Sequence, residues 1–204
     1  MTKKYILTGG PGSGKSSLIL SLEHRGEYCI REAAEDIIRY RQALGNKEPW
    51  LNPEFQDWIL KLQQQREAGI PKGIERAFLD RGILDGLAYF KKNGKEPSEA
   101  IKEATKNLDY EKTAFLIENL GNCLKTEVRR ESLEEALQIE RLIEETYRNL
   151  GYEIKKIKAG PLEERTDKIL EKRDELYHCP EIAEAFSWAI GSERRRLRNL
   201  KEKD

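Results

Sequence analysis

Nine residues near the start constrain this chain more than any other feature: Thr8-Gly9-Gly10-Pro11-Gly12-Ser13-Gly14-Lys15-Ser16. They match G-x-x-x-x-G-K-[ST], a loop that wraps phosphate. Its glycines reach backbone conformations that side chains forbid. Successive N–H groups can then turn inward around an anion, and the next helix adds the partial positive charge of its N-terminus. Gly10, Gly12, Ser13, Gly14, Lys15, Ser16 and Ser17 are therefore candidate phosphate-binding residues. Lys15 would bring a full charge to the outer phosphates, and the Ser16 hydroxyl could ligate Mg²⁺. The loop requires a strand before it and a helix after it. Residues 4–8 read as that strand and 17–23 as that helix.

Strand-like stretches recur at 28–30, 77–80, 112–117 and 152–157, the last alternating as an edge strand would. Helical patterns lie between them. Asn52-Pro53 is a helix start, followed by Phe55, Trp58, Ile59 and Leu62 at helical spacing. Ser132-x-x-Glu135 is a capping box. It opens a helix whose apolar face reads as Leu133, Ala136, Leu137, Leu142, Ile143, Tyr147 and Leu150, ended by Gly151. Strands alternating with helices predict an α/β fold, a parallel sheet covered on both faces. One P-loop domain is expected over 1–175, with a C-terminal helical extension over 176–204.

Charge sets limits on partners. The chain has 37 basic and 37 acidic residues, and a net charge near zero counts against a general nucleic-acid binder. No apolar run approaches the roughly 20 residues of a membrane span. The sequence enters its first strand at once, so no signal peptide is expected. Cys29, Cys123 and Cys179 are odd in number and far apart, which suggests free thiols in a reducing cytoplasm.

Ligands of parallel sheets bind beyond the carboxyl ends of the strands, and that rule selects the candidate residues. Asp80 closes an apolar strand, where a carboxylate would sit near the cation held by Ser16. An aspartate capping a turn fits the same pattern. Arg81 follows, and its planar guanidinium could grip phosphate oxygens or pair with Asp85. Glu32 ends the second strand and could take a proton from a hydroxyl nucleophile. Glu35 and Asp36, one helical turn on, are alternatives for that role, and acids are favoured at a helix start in any case. Arg129, in a loop with Lys125 and Arg130, could stabilise a transferring phosphoryl group. Arg165, after the fifth strand, lies where a nucleotide base would rest. Trp50, on a loop between prolines, is a candidate for an acceptor pocket, whereas Phe55 and Trp58 fall at core spacing.

Several blocks together resemble a known group. They are Tyr5-Ile-Leu-Thr-Gly-Gly-Pro-Gly-Ser-Gly-Lys-Ser-Ser, Arg31-Glu-Ala-Ala-Glu-Asp-Ile-Ile, Leu79-Asp-Arg-Gly-Ile-Leu-Asp-Gly-Leu-Ala-Tyr, Val128-Arg-Arg-Glu-Ser and Leu150-Gly-Tyr-Glu-Ile. They resemble the small AAA-type P-loop ATPases, nearer in build to nucleoside and nucleotide kinases than to ring-forming motors. The resemblance covers roughly residues 3–172. It implies a five-stranded sheet of kinase-like order 2-3-1-4-5, with ATP as donor and Mg²⁺ as cofactor. By the same resemblance, Glu32 matches the carboxylate that serves deoxynucleoside kinases as base, and Asp80-Arg81 matches their acid–arginine pair. Glu127 stands where many relatives carry an aspartate before the lid arginine.

The expected function is Mg²⁺-dependent transfer of a γ-phosphate to a small nucleoside- or nucleotide-like acceptor. The alternative is a regulatory NTPase switch. In that case the C-terminal helix, with its arginines at 194–198, would meet a protein partner or a second copy of the chain.

Overall fold

The computed structural model describes residues 1–121 and 131–170. The predicted lid arginine Arg129, with Glu127 and Arg130, lies outside the described residues, as does the predicted helix over 176–204. Met1–Thr166 forms one compact unit. It contains five strands: β1 (Lys3–Thr8), β2 (Tyr28–Ile30), β3 (Arg76–Asp80), β4 (Tyr110–Ile117) and β5 (Glu153–Ile157). The helices are α1 (Lys15–His24), α2 (Ala33–Ala43), α3 (Phe55–Ala68), α4 (Ile83–Lys92), α5 (Glu99–Lys106), α6 (Leu133–Asn149) and α7 (Leu162–Leu170), with a single 3-10 turn at Pro49–Leu51.

All strand pairs are parallel and the order is β2-β3-β1-β4-β5, so the P-loop strand is central. Neighbouring residues of a strand point to opposite faces. Ile6 and Leu7 of β1 are both fully buried, so both faces of the sheet are covered. One face packs Ile6, Leu79 and Ala114 against Leu84 and Ala88 of α4 and Ile139, Ile143 and Tyr147 of α6. The opposite face carries an aromatic row. The register sets Tyr5 beside Phe78, whose ring stacks on it at 5.6 Å, and Phe115 lies 6.3 Å away on the other side.

Local signals end the elements as their chemistry dictates. Asn52, the expected N-cap, instead closes a turn, its Oδ1 accepting the Glu54 N–H at 2.8 Å; α3 starts two residues later than that turn's proline, with Glu54 as N-cap and no side-chain cap bond. Ser132 Oγ accepts the Glu135 N–H while the Glu135 carboxylate accepts the Ser132 N–H, which completes the capping box. The face of α6 differs from the predicted one. Ala136, Ile139, Ile143 and Tyr147 are buried, whereas Leu133, Leu137 and Leu150 are exposed. The buried set follows the i, i+3, i+7, i+11 stripe, and Leu137 falls about a quarter-turn off it. Because every strand runs the same way, Thr8, Ile30, Asp80, Ile117 and Ile157 end on one edge of the sheet. Among the described residues no helix is long and apolar enough to cross a membrane.

Candidate functional site

The loop after β1 leaves no room for side chains at two of its glycines. A Cβ on Gly9 (φ 141°) would stand 2.4 Å from the Ile117 carbonyl oxygen, and one on Gly10 would stand 2.5 Å from that of Ala136. Gly12 and Gly14 also take positive φ, 77° and 83°. The backbone can thus coil tightly between β4 and α6. Lys15 folds back into the coil, and its Nζ donates to Gly9 O and Gly10 O, both at 3.0 Å, and to Ser13 Oγ at 3.1 Å. Burial, with the Arg81 guanidinium nearby, pushes the ammonium down to about 8.

Two side chains brace the loop from outside. Asn119 Nδ2 donates to Pro11 O at 2.8 Å, and Arg165 Nη2 donates to Ser13 O at 2.8 Å. Arg165 is buried, and burial lowers its pKa. The sequence reading set Arg165 beside a nucleotide base. Its Nη2 bonds Ser13 O of the loop and Glu118 O just after β4, and it does not line the cavity described below.

Asp80, at the end of β3, lies beside the loop's helix. Ser16 Oγ donates to its Oδ2 at 3.3 Å, and Oδ1 is buried without a partner. Burial, and after it the Glu32 charge, push this carboxyl up to about 6. An orphaned carboxylate oxygen next to a serine hydroxyl suits a hard cation. Among the described residues no group of three His, Cys, Asp or Glu could hold a metal alone. Mg²⁺ bound here would complete its shell with phosphate oxygens and water, as it commonly does. The raised pKa sets a pH limit. Below about 6 the proton competes for the carboxylate, so Mg²⁺-dependent nucleotide binding should weaken as pH falls through that value. Asp80→Asn should weaken the binding above about pH 6, converge with the parent below it, and remove this pH dependence. Titrations with and without Mg²⁺ between pH 5 and pH 8 would check it.

Arg81 is the only non-glycine residue with positive φ (70°) among the described residues. Its own N–H is tied to Leu7 O at 2.9 Å. Strain of this kind costs on the order of 1–3 kcal/mol and persists where surrounding contacts enforce it. Here the contacts are plain. Nε donates to Glu32 Oε1 at 2.9 Å, and Nη1 donates to Gly9 O and Asp85 Oδ1, each at 3.1 Å. The guanidinium also lies 5.7 Å from the centre of the Tyr89 ring.

Asp85 has a larger part than sequence spacing suggested. Besides Arg81 it accepts from the Thr8 hydroxyl at 2.6 Å, the Tyr147 hydroxyl at 2.7 Å and the Gly82 N–H at 3.1 Å. Four donors from β1, α6 and the turn before α4 converge on one buried carboxylate. Neither Thr8 nor Tyr147 was singled out as polar partners. A hydroxyl at the end of a buried strand was the only signal available. Tyr147→Phe should cost about 1–2 kcal/mol, since it removes one donor from a buried carboxylate without changing shape. Urea denaturation would read this as a lower midpoint at unchanged slope.

A cavity of about 570 Å³ joins these groups. The loop from Pro11 to Ser16 lines one end, and Glu32, Arg81 and Asp85 line its side. Trp50, Phe55, Ile59, Leu60 and Tyr89 also line it, mixed with polar side chains such as Gln56, Gln63, Lys92 and Lys95. Phe55, expected only to pack, does both: it is buried and it lines the cavity. Trp58 does not line it, and its ring carries the Arg41 guanidinium at 3.6 Å. Of the three candidate acids, Glu32 and Glu35 line the cavity, while Asp36 is bound to Arg66. Ser17 is exposed and does not line it.

None of the curated proteins matches the sequence. Among solved structures the chain is similar to deoxyadenosine kinase from M. mycoides with the products dCMP and a flexible dCDP bound. That pair is 13% identical, with a TM-score of 0.57 over 85% of this chain and 99% of that one. The same enzyme with bound dATP gives 14% identity and a TM-score of 0.53, over 84% and 99% of the two chains. The NadR protein in complex with NAD and AMP-PNP gives 16% identity and a TM-score of 0.59, over 83% of this chain and 49% of that one. Identities this low show a shared kinase-like P-loop fold. A family model described as an AAA domain matches residues 4–165. With its P-loop on the central strand of a five-stranded parallel sheet, the chain belongs to that AAA domain family.

Proposed function

We propose that this protein is an Mg²⁺-dependent phosphotransferase that passes the γ-phosphate of ATP to a small acceptor of nucleoside or nucleotide type. The observation that carries this reading is that one cavity is lined by the P-loop, by Glu32 and Arg81, and by Trp50, Phe55, Ile59 and Leu60. A hydrolase needs room for one water at the γ-phosphate. A cavity walled in part by aromatic and aliphatic side chains suits a second, partly flat molecule. The nucleotides named for the deoxyadenosine kinase and NadR structures agree with it.

The roles follow from placement. The P-loop amides and Lys15 hold the β- and γ-phosphates. Ser16 and Asp80 would hold Mg²⁺, which would neutralise phosphate charge there. The acceptor hydroxyl oxygen forms a bond to the γ-phosphorus as the bond to the β-phosphate oxygen breaks, and ADP leaves. The hydroxyl proton goes to Glu32. Arg81 is held between Glu32, Gly9 O and Asp85 at the point where charge spreads over the transferring group. Arg129, outside the described residues, is a further candidate to meet that charge. ATP as donor goes with a cytoplasmic location.

The test is ADP release by purified protein with ATP, Mg²⁺ and a panel of nucleosides, nucleotides and other small alcohols. Acceleration by one acceptor class over water is the expected result. ADP released no faster with any acceptor than with water would remove the reading.

A further inference from the structure

Two side chains grip the P-loop and have no part in the chemistry proposed above: Asn119, just after β4, and Arg165, on α7. Neither lines the cavity, whereas Pro11, Gly12, Ser13 and Gly14 all do. Each donates to one loop carbonyl, Asn119 Nδ2 to Pro11 O and Arg165 Nη2 to Ser13 O, both at 2.8 Å. Those carbonyls belong to the peptide units Pro11–Gly12 and Ser13–Gly14. In a trans peptide the carbonyl and the next residue's N–H point opposite ways, and no described peptide bond is cis. Holding Pro11 O and Ser13 O away from the cavity therefore turns the N–H groups of Gly12 and Gly14 toward it. Neither N–H makes a hydrogen bond among the described residues.

Both braces are themselves fixed. Asn119 gives its N–H to the Glu140 carboxylate of α6 at 3.1 Å, and its Oδ1 accepts the Gly121 N–H at 2.9 Å. That leaves Nδ2 as the end of the amide that meets Pro11 O. Arg165 is 3% exposed, and a Cβ on Gly14 would stand 3.1 Å from its Nη1, so the guanidinium rests against the loop. The start of α7 is seated on α1, the helix that the loop opens. Thr166 Oγ1 donates to Ser21 Oγ at 2.9 Å, and Arg25 pairs with Glu163. Arg165 Nε is buried without a partner. An apolar side chain would fill the same space with no orphaned donor, so what the guanidinium adds here is its grip on the loop.

We infer that Asn119 and Arg165 are positioning residues for phosphate binding: Asn119 aims the Gly12 N–H and Arg165 aims the Gly14 N–H before the ligand arrives. The inference rests on the nucleotide-binding half of the reading above and is independent of the acceptor. A donor already aimed at a phosphate oxygen needs no reorganisation on binding, so the braces raise affinity for phosphate without touching it.

The experiment uses full-length protein and ADP with Mg²⁺, with calorimetry for affinity and ¹H–¹⁵N spectra for the two amides. In the parent, ADP should move both glycine amide protons downfield as they meet phosphate oxygens. Arg165→Met removes the donor to Ser13 O. It should shrink the Gly14 shift, leave the Gly12 shift standing and lower ADP affinity roughly 10- to 100-fold. Asn119→Asp keeps the shape and the bond to Gly121 but sets a carboxylate oxygen against Pro11 O. It should shrink the Gly12 shift alone and lower affinity roughly 10-fold. Arg165→Lys returns one charged donor to Ser13 O and should recover most of what Arg165→Met loses. If Arg165→Met does not fold, Asn119→Asp carries the test by itself, since its effect must fall on Gly12 and spare Gly14. Parent-like shifts in the variants, affinities within about twofold of the parent's, or a loss spread equally over all loop amides would each overturn the inference while nucleotide binding stands. If the parent itself binds no ADP, the inference and the nucleotide-binding reading fail together.

Discussion

Lys15→Ala abolishes nucleotide turnover, by roughly 10³-fold or more, and leaves the fold standing. These two halves have one physical cause. Without nucleotide the Lys15 ammonium is buried and shared among Gly9 O, Gly10 O and Ser13 Oγ. Burial and the Arg81 charge hold its pKa near 8, down from its ordinary 10.5. A buried ammonium with a lowered pKa favours the unfolded state at neutral pH, because the unfolded chain binds the proton more tightly. Stability due to this group therefore rises as pH climbs from about 8 toward 10.5. Removing the charge takes away that penalty along with three hydrogen bonds, so the two losses largely offset. Bound triphosphate changes the balance by giving the ammonium anionic partners, and that gain disappears with the side chain. Circular dichroism melts across pH 7 to pH 10 and an ADP-release assay check both halves. A variant unfolded at room temperature, or one that keeps a substantial share of turnover, would contradict this account of the loop.

The architecture was readable because its strongest signals are local. A P-loop demands a strand, a glycine coil and a helix in that order, and the other strands are short apolar or alternating runs between helical patterns. The Ser132 capping box acts over three residues and forms as expected, whereas the Asn52 side chain closes a turn ahead of α3, which starts at Phe55 with Glu54 as its N-cap and no side-chain cap bond. The apolar face of α6 was read less well. Leucines at 133, 137 and 150 looked like core by type, but burial is decided by the angle each makes around the helix, and Ile139 holds the inward position.

The candidate site divides along the same line. Parallel strands bring their carboxyl ends to one edge, so Glu32, Asp80, Arg81 and the loop were expected together; Glu32, Arg81 and the loop line one cavity, and Asp80 is buried next to it, bonded to Ser16. What spacing could not reveal were bonds between distant elements. Asp85 and Tyr147 meet across α4 and α6, and Gln63 and Glu67 meet Tyr110 across α3 and β4. Each pairing depends on how two helices or a helix and a strand pack, and a hydroxyl on an apolar helix face gives no sign of its partner. Arg165 illustrates the reverse case. A basic residue after the last strand suggested a ligand contact, yet the buried guanidinium bonds the carbonyl of Ser13, itself fully buried in the loop.

Glu32→Gln should lower transfer to an acceptor by about 10²- to 10⁴-fold, the usual range for a lost general base, while ATP affinity stays within about threefold. The substitution keeps the shape of the side chain and leaves an oxygen that can still accept from Arg81 Nε, now 2.9 Å from Glu32 Oε1. Arg81 also retains its bonds to Gly9 O and Asp85, so the guanidinium is not set loose. What the variant lacks is the charge that draws a proton from the acceptor hydroxyl. Two rates separate that role from mere support of Arg81. Slow ATP hydrolysis without acceptor depends on Lys15, Arg81 and the bound cation, and it should change little. Transfer to the acceptor depends on all of these and on Glu32, and it should fall. Equal falls in both rates, or a loss of ATP binding as large as the loss of transfer, would assign Glu32 to holding Arg81 in its strained backbone position (φ 70°) instead. Arg81→Lys supplies the comparison: it keeps a positive charge but not the three-way grip on Glu32, Gly9 and Asp85, so it should depress both rates together.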